Sequence, residues 1–178
     1  MQYGVKMRVA ITGHTKGIGQ ELVNYFLGKK YEVTGFSRKN NYDISINETR
    51  KRIVGQLDQF DIFVNNAYNN FDNSQELLLE NILDAWKNQE KIIINISSRW
   101  TDGDSQYCQH KLSLDRLCEK YKHSTVYLIN LKPGLIDTTR VKNVKGNKMS
   151  TKSVVTVIDF ILNNVNNFRV HSITFGQS

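Results

Sequence analysis

Tyr107 and Lys111, in the stretch YCQHK, put a phenol and an ammonium four positions apart. On a helix that spacing stacks the two side chains on one face, a turn apart. A neighbouring ammonium favours the phenolate and lowers a pKa that is about 10 in a free tyrosine. A phenol tuned in this way can exchange a proton near neutral pH. The spacing alone does not make a site, because Tyr25 and Lys29 in YFLGK repeat it. Position in the fold must separate the two pairs.

A second stretch with chemical meaning is TGHTKGIG, which carries Gly13, Gly17 and Gly19. It follows a strand-like run and opens a helix, which is the context a dinucleotide loop requires. Gly13 permits a sharp turn out of the strand. Gly17 and Gly19 remove side chains where phosphate and backbone approach, and free N–H groups at the helix start face a pyrophosphate. The candidate loop is Gly13, His14, Thr15, Lys16, Gly17, Ile18 and Gly19; a glycine-rich turn with no ligand is the competing reading. The next strand selects the cofactor. An NAD site offers a carboxylate there to the ribose 2′-hydroxyl, and an NADP site offers arginine. This strand ends in GFSRK, without a carboxylate. Ser37 and Arg38 can take a 2′-phosphate, since a guanidinium binds it through paired hydrogen bonds, and Lys16 would lie nearby. NADP(H) is favoured over NAD; Arg38 on a solvated turn is the bland alternative.

The elements that must hold these residues alternate. RVAIT reads as a buried strand, GIGQELVNYFLGKK as a helix stopped near Gly28, and YEVTGF as a second strand. SRKNNYDIS is too short for a helix. Ser45 and Glu48 have the spacing of a capping box before a helix in TRKRIVGQLDQF. FDIFVNNA, KIIINISS, TVYLINL and HSITFG read as further strands, and NSQELLLENILDAWKN, the segment carrying Tyr107, and STKSVVTVIDFILNNV as helices. Continuous apolar strands between amphipathic helices call for a doubly wound parallel sheet, an α/β Rossmann fold. With 178 residues and no repeat or linker, residues 1–178 are expected to form a single domain.

The chain carries a net charge of +7. The basic residues are scattered, which argues against a nucleic-acid surface. They fit a solvated Lys- and Asn-rich exterior, or in part a seat for a phosphorylated cofactor. No apolar run reaches the roughly 20 residues of a membrane helix. The opening MQYGVKMRVAITG lacks a secretory pattern. Cys108 and Cys118 lack C-x-x-C spacing and read as reduced thiols, so a cytoplasmic location is the default expectation. His14, His110, His123 and His171 have no metal-ligand company, and no metal is assigned.

Taken in order, these stretches resemble the short-chain dehydrogenase/reductase family along most of the chain. TGHTKGIG is similar to its T-G-x-x-x-G-x-G loop. Asn65, Asn66 and Ala67 are similar to its N-N-A-G segment. Tyr107 and Lys111 match its Y-x-x-x-K pair, and NLKPGLIDT its P-G-x-x-x-T segment. The resemblance implies that Ser98 is the substrate-binding serine and that Asp43 and Ile44 hold adenine. It implies that Pro133, Gly134, Ile136 and Thr138 run beside the nicotinamide, and that Asn81 is the catalytic asparagine of a proton-supplying water chain. This sequence departs from the family in four places. Tyr68 replaces the last glycine of N-N-A-G; the helix before Asp43 is missing and the third strand is abbreviated; and the loops from Ser98 to Tyr107 and after Thr138 are short.

Ligands of an open parallel sheet bind beyond the carboxyl ends of its strands. Ser98 ends one strand and Tyr107 begins the next helix, so this pair lies at that edge; Tyr25 lies two turns into its helix and reads as structural. The implied chemistry is NADP(H)-dependent hydride transfer to or from a carbonyl or alcohol. Tyr107 moves the proton, Ser98 steadies the oxygen, and Lys111 lowers the phenol's pKa and holds the ribose. The partners expected are a small carbonyl or alcohol substrate and further copies of the chain as a homo-oligomer, with no membrane. The alternative is a catalytically weak or inactive NADP(H)-binding regulatory protein.

Overall fold

The computed structural model describes residues 6–177; residues 1–5 of the opening stretch lie outside them. Six strands form one sheet: β1 (Arg8–Thr12), β2 (Glu32–Phe36), β3 (Ile62–Asn65), β4 (Ile92–Ile96), β5 (Tyr127–Pro133) and β6 (Ser172–Phe175). Their order is β2-β1-β3-β4-β5-β6, and every pairing is parallel. The helices are α1 (Gly17–Gly28), α2 (Asn47–Val54), α3 (Ser74–Trp86), α4 (Gln106–Lys120) and α5 (Thr151–Asn163).

Side chains alternate across a strand, and this sorts the core into two layers. Val9, Ile11, Ile62, Val64, Ile94 and Ile129 pack under Leu22 and Phe26 of α1 and Val154, Ile158 and Ile161 of α5. Ala10, Phe63, Ile93 and Leu128 face the other way, onto Ile53 of α2, Leu78, Ile82 and Trp86 of α3, and Leu114 and Leu117 of α4. Both faces of the central strands β1, β3, β4 and β5 are covered, so these are largely apolar on both sides, as a doubly wound α/β sheet requires, while the edge strands β2 and β6 keep exposed polar residues. The chain places β2 on one side of β1 and then returns to place β3 on the other. The strand order therefore switches at β1, and a crevice opens where the loops after β1 and β3 diverge.

The structure differs from the sequence expectation around β2. Between Phe36 and Asn47 the chain makes only a 3-10 turn, Arg38–Asn40. The third strand expected there in short form is absent, and β2 is the edge of the sheet. A further parallel strand needs a crossover of about a dozen residues or more, and residues 37–46 are too few. The capping box is not used either. The Ser45 N–H and hydroxyl both donate to Asp43 Oδ1, at 3.0 and 2.8 Å, and Ile46 holds the cap position of α2. An aspartate two residues upstream wins the serine because it closes the smaller ring. α2 then ends early: the Gly55 N–H bonds the Lys51 carbonyl at 2.9 Å, and a 3-10 turn, Leu57–Gln59, takes the rest of the expected helix.

Candidate active site

The crevice at β1 is built by hydrogen bonds from side chain to backbone. The buried Thr12 hydroxyl donates to the Val64 carbonyl at 3.3 Å and accepts from the Asn66 and Ala67 N–H groups at 2.9 and 3.0 Å. Asn66 Nδ2 donates to the Thr12 carbonyl at 3.0 Å. The end of β3 is thereby fixed to the end of β1, and Gly13 N–H to the Phe36 carbonyl (2.8 Å) fixes β2 to both. Gly13 and Gly17 adopt positive φ, +69° and +55°, a region that suits glycine. A Cβ at Gly19 would collide with the Gly13 carbonyl. The loop thus folds tightly onto the start of α1 and leaves a cradle where only glycine fits and backbone N–H groups can meet an anion.

Around this cradle lie the residues expected to read the cofactor. Ser37 is buried at the end of β2, its N–H bonded to Asn40 Oδ1 at 2.8 Å. Arg38 and Lys16 are exposed, and neither is ion-paired among the described residues. The His14 ring lies against Gly35, where any side chain would displace it, and its buried Nδ1 lacks a hydrogen-bond partner among the described residues. Thr15 and Ile18 complete the turn. Ile44 is buried beside Phe36, while Asp43 spends one carboxylate oxygen on Ser45. From the other side, a Cβ at Gly17 would sit 3.2 Å from Thr138 Cγ2, so the segment after β5 closes onto the glycine loop. That segment is anchored by Gly134 N–H to the Phe175 carbonyl (2.7 Å) after Pro133, and by a bridge between Ile136 and Met149. The short stretch it encloses carries a 3-10 turn, Thr139–Val141. These residues fit a dinucleotide: a glycine cradle for the pyrophosphate, with Arg38 exposed at the end of β2 and Lys16 exposed in the glycine loop.

The residues expected to move the proton converge at the carboxyl ends of β4 and β5. Ser98 follows β4, is buried, and accepts the Trp100 N–H at 3.1 Å. α4 begins after Ser105, whose hydroxyl accepts the Cys108 N–H at 3.2 Å, and this cap sets Tyr107 in its first turn. Burial raises the Tyr107 pKa, and a hydrogen bond with Ser98 opposes that rise. Lys111, one turn on, is 3% exposed. Its Nζ donates to Gln75 Oε1 at 2.7 Å and to the Ile96 carbonyl at 3.1 Å. Burial lowers its pKa to about 7, helped by the Arg140 charge and opposed by Asp115. The sequence expectation that the ammonium depresses the phenol is therefore not met in this structure. Lys111 points down into the protein, its Nζ 5.8 Å from the Tyr107 ring centre, and desolvation governs both groups.

Asn81 is the residue expected as the relay asparagine. It lies six residues beyond Gln75 in α3, about 9 Å further along the axis, and makes no hydrogen bond to Lys111. Gln75 is the α3 residue that bonds Lys111. It is 2% exposed, and its Nε2 donates to the Asn65 and Ile96 carbonyls at 2.9 and 3.0 Å. Gln75 was not singled out from the sequence because nothing in the spacing says which polar residue of α3 faces Lys111. Two further residues enter the site: Tyr68, against Lys111 and Tyr107, and Arg140, whose Nη2 donates to the Tyr68 carbonyl at 2.8 Å.

Beneath the site three asparagines in register cross the sheet. Asn65 Nδ2 donates to Asn95 Oδ1, and Asn95 Nδ2 to Asn130 Oδ1, each at 2.9 Å. Asn130 Nδ2 donates to Asp115 Oδ1 at 2.8 Å, and Asp115 also takes the Ser97 hydroxyl (2.7 Å) and Lys132 Nζ (2.6 Å). Ser97 is thus turned onto α4, which leaves Ser98 as the serine beside Tyr107. The other Y-x-x-x-K pair is structural: the Tyr25 hydroxyl and Lys29 Nζ both bind Asp159 on α5, at 2.9 and 2.7 Å. Cys108 and Cys118 are both free thiols.

No family model and no curated protein matches the sequence. Solved structures do match the fold. A short-chain dehydrogenase from Burkholderia cenocepacia J2315 in complex with NADP aligns over 96% of this chain and 88% of its own, with a TM-score of 0.78 and 19% identity. A short-chain dehydrogenase/reductase from Vibrio parahaemolyticus aligns over 96% and 99%, with a TM-score of 0.78 and 20% identity. The 3-alpha-hydroxysteroid dehydrogenase from Pseudomonas sp. B-0831, complexed with NADH, aligns over 95% of both chains, with a TM-score of 0.78 and 16% identity. The chain has the fold of short-chain dehydrogenases/reductases.

Proposed function

We propose that this protein is an NADP(H)-dependent oxidoreductase that reduces small carbonyl compounds and oxidises the corresponding alcohols. The observation that carries the reading is the convergence of Ser98 and Tyr107, over a buried Lys111, at the strand ends that also bear the glycine cradle. NADP(H) is preferred to NAD(H) because the end of β2 bears Ser37 and Arg38 and no carboxylate, and the adjoining glycine loop carries Lys16. Similar structures hold NADP in one case and NADH in another, so the preference rests on these residues alone.

The dinucleotide supplies or accepts the hydride. The chain supplies everything else. Burial keeps Tyr107 a neutral phenol at neutral pH, the form that can give its proton to a carbonyl oxygen during reduction. Ser98 donates a hydrogen bond to the same oxygen and favours the charge that gathers there. Gln75 and the Ile96 carbonyl hold the Lys111 ammonium beneath the phenol, and Gln75 takes the relay role first expected of Asn81. Thr138 and the glycine loop would hold the phosphates, and Asp43 and Ile44 the adenine.

Turnover of a panel of aldehydes, ketones and alcohols tests the reading. NADPH should outperform NADH, and Tyr107→Phe should lower turnover by about 10²–10⁴-fold while leaving NADPH affinity within threefold. Activity unchanged in Tyr107→Phe would remove the proposed proton donor. Arg38→Ala should weaken NADPH at least tenfold and leave NADH nearly unchanged. A second reading, an NADP(H)-binding regulator with little turnover, is favoured by Tyr68 and the short loops; it is distinguished by tight NADPH binding with no turnover of any substrate.

A further inference from the structure

Lys111 has three N–H groups and none is free. Gln75 Oε1 and the Ile96 carbonyl take two. The third side of the ammonium is covered by the ring of Tyr68, whose centre lies 4.6 Å from Nζ, within the range of a cation–π contact. The same ring meets Tyr107 edge-on at 5.3 Å and 90°. Its hydroxyl pairs with His110 Nδ1 at 3.3 Å, and the Arg140 guanidinium lies 5.1 Å over its centre. Three side chains from two elements therefore pin one aromatic ring in the space above the lysine.

The backbone here is held by side chains rather than by a helix or strand, the Tyr68 carbonyl by Arg140 Nη2 at 2.8 Å. Asn66 and Ala67 are tied to Thr12, but residues 66–73 between β3 and α3 form no regular element. Tyr68 is the first residue past the tether. It also stands where the resemblance calls for glycine, so the segment that would leave the site open instead brings a side chain into it.

We infer that Tyr68 is a placeholder for the nicotinamide ribose: its ring caps Lys111 in this structure, and a dinucleotide seats its nicotinamide half only by turning the ring out. The inference rests on the proposed function, because it is that reading which brings a ribose to Lys111. The hydroxyls of the ribose would replace the ring as partner of the third N–H. The adenosine half, at the end of β2, is untouched by the ring. The two halves of the cofactor should therefore respond differently to position 68.

Calorimetric titration with NADPH and with 2′,5′-ADP, the phosphorylated adenosine half alone, tests this in wild type, Tyr68→Gly, Tyr68→Ala and Tyr68→Phe. NADPH should bind at least tenfold tighter to Tyr68→Gly and Tyr68→Ala than to wild type, Tyr68→Phe should follow wild type, and 2′,5′-ADP should stay within twofold throughout. Two small residues and one aromatic keep the result readable if one variant does not fold. NADPH binding unchanged or weaker in both small variants, with 2′,5′-ADP still bound, overturns the placeholder and leaves the proposed function standing. Binding of neither nucleotide to any of the four proteins overturns both.

Discussion

At the scale of single residues, the site turns on which α3 side chain reaches Lys111. Gln75 uses its whole amide inside the protein, with its oxygen on the ammonium and its nitrogen on two strand-end carbonyls. Gln75→Leu would strip an acceptor from a buried cation and a donor from two carbonyls. An unmade buried bond of this kind costs about 1–3 kcal/mol, so Gln75→Leu should lose about 3 kcal/mol in urea unfolding and at least tenfold in turnover. Asn81→Ala removes a half-buried amide with no hydrogen bond to Lys111 and should change stability by less than about 1 kcal/mol. Equal effects of the two substitutions would mean that Gln75 is not the partner that matters. Sequence could not choose between them. Both are polar residues on one helix, and the choice depends on the irregular path from Asn66 to Asn73, which has no period to read.

The elements were more legible than the contacts between them. Apolar runs marked all six strands, most plainly the central four, because strands covered on both faces have no polar side to hide. The glycine loop could be read for the same reason: Gly13 and Gly17 carry a backbone shape, and Gly19 an approach, that other residues refuse. What could not be read was competition. Asp43 took the serine meant for the α2 cap, and a short connection cost the sheet a strand. The asparagine row of β3, β4 and β5 was equally hidden, since each asparagine alone looks like a polar interruption. Together they bond in register across the sheet and end on Asp115. Asn95 is the middle member, buried at 0% exposure. Asn95→Ala would break two 2.9 Å bonds and leave Asn130 Oδ1 without its donor. A network half satisfied is worse than none, and the expected loss is about 3 kcal/mol. Asn163→Ala, on the exposed end of α5, serves as the comparison and should cost less than about 1 kcal/mol. Chemical denaturation of the two variants decides whether the row supports the sheet or merely crosses it.

Across the whole molecule, the acidic residues are committed to the framework. Asp61 binds Arg8 and Lys91, Asp159 binds Lys29, and Asp115 binds Lys132. Lys16, Arg38 and Arg140 have no acidic partner within ion-pair distance among the described residues, so these three cations are left to meet an anionic ligand. No helix among the described residues is long and apolar enough to cross a membrane. The buried Lys111 gives the molecule a pH signature of its own. Burial lowers its pKa to about 7 in the fold, against about 10.4 in an unfolded chain. Between these values the unfolded chain holds a proton that the folded protein has released, so stability rises with pH. Cys118 acts in the opposite sense. Burial raises its thiol, so that above about pH 8.5, where a free thiol ionises, the unfolded state gains and stability falls. The clear window is pH 7 to 8.5. Across it the wild-type unfolding free energy should climb by about 2 kcal/mol. In Lys111→Met, which keeps the length of the side chain and loses its charge, the curve should be flat over the same range. A wild-type curve as flat as that of the variant would mean that Lys111 titrates as an ordinary solvated amine. The ring of Tyr68 and the amide of Gln75 would then not be enclosing it.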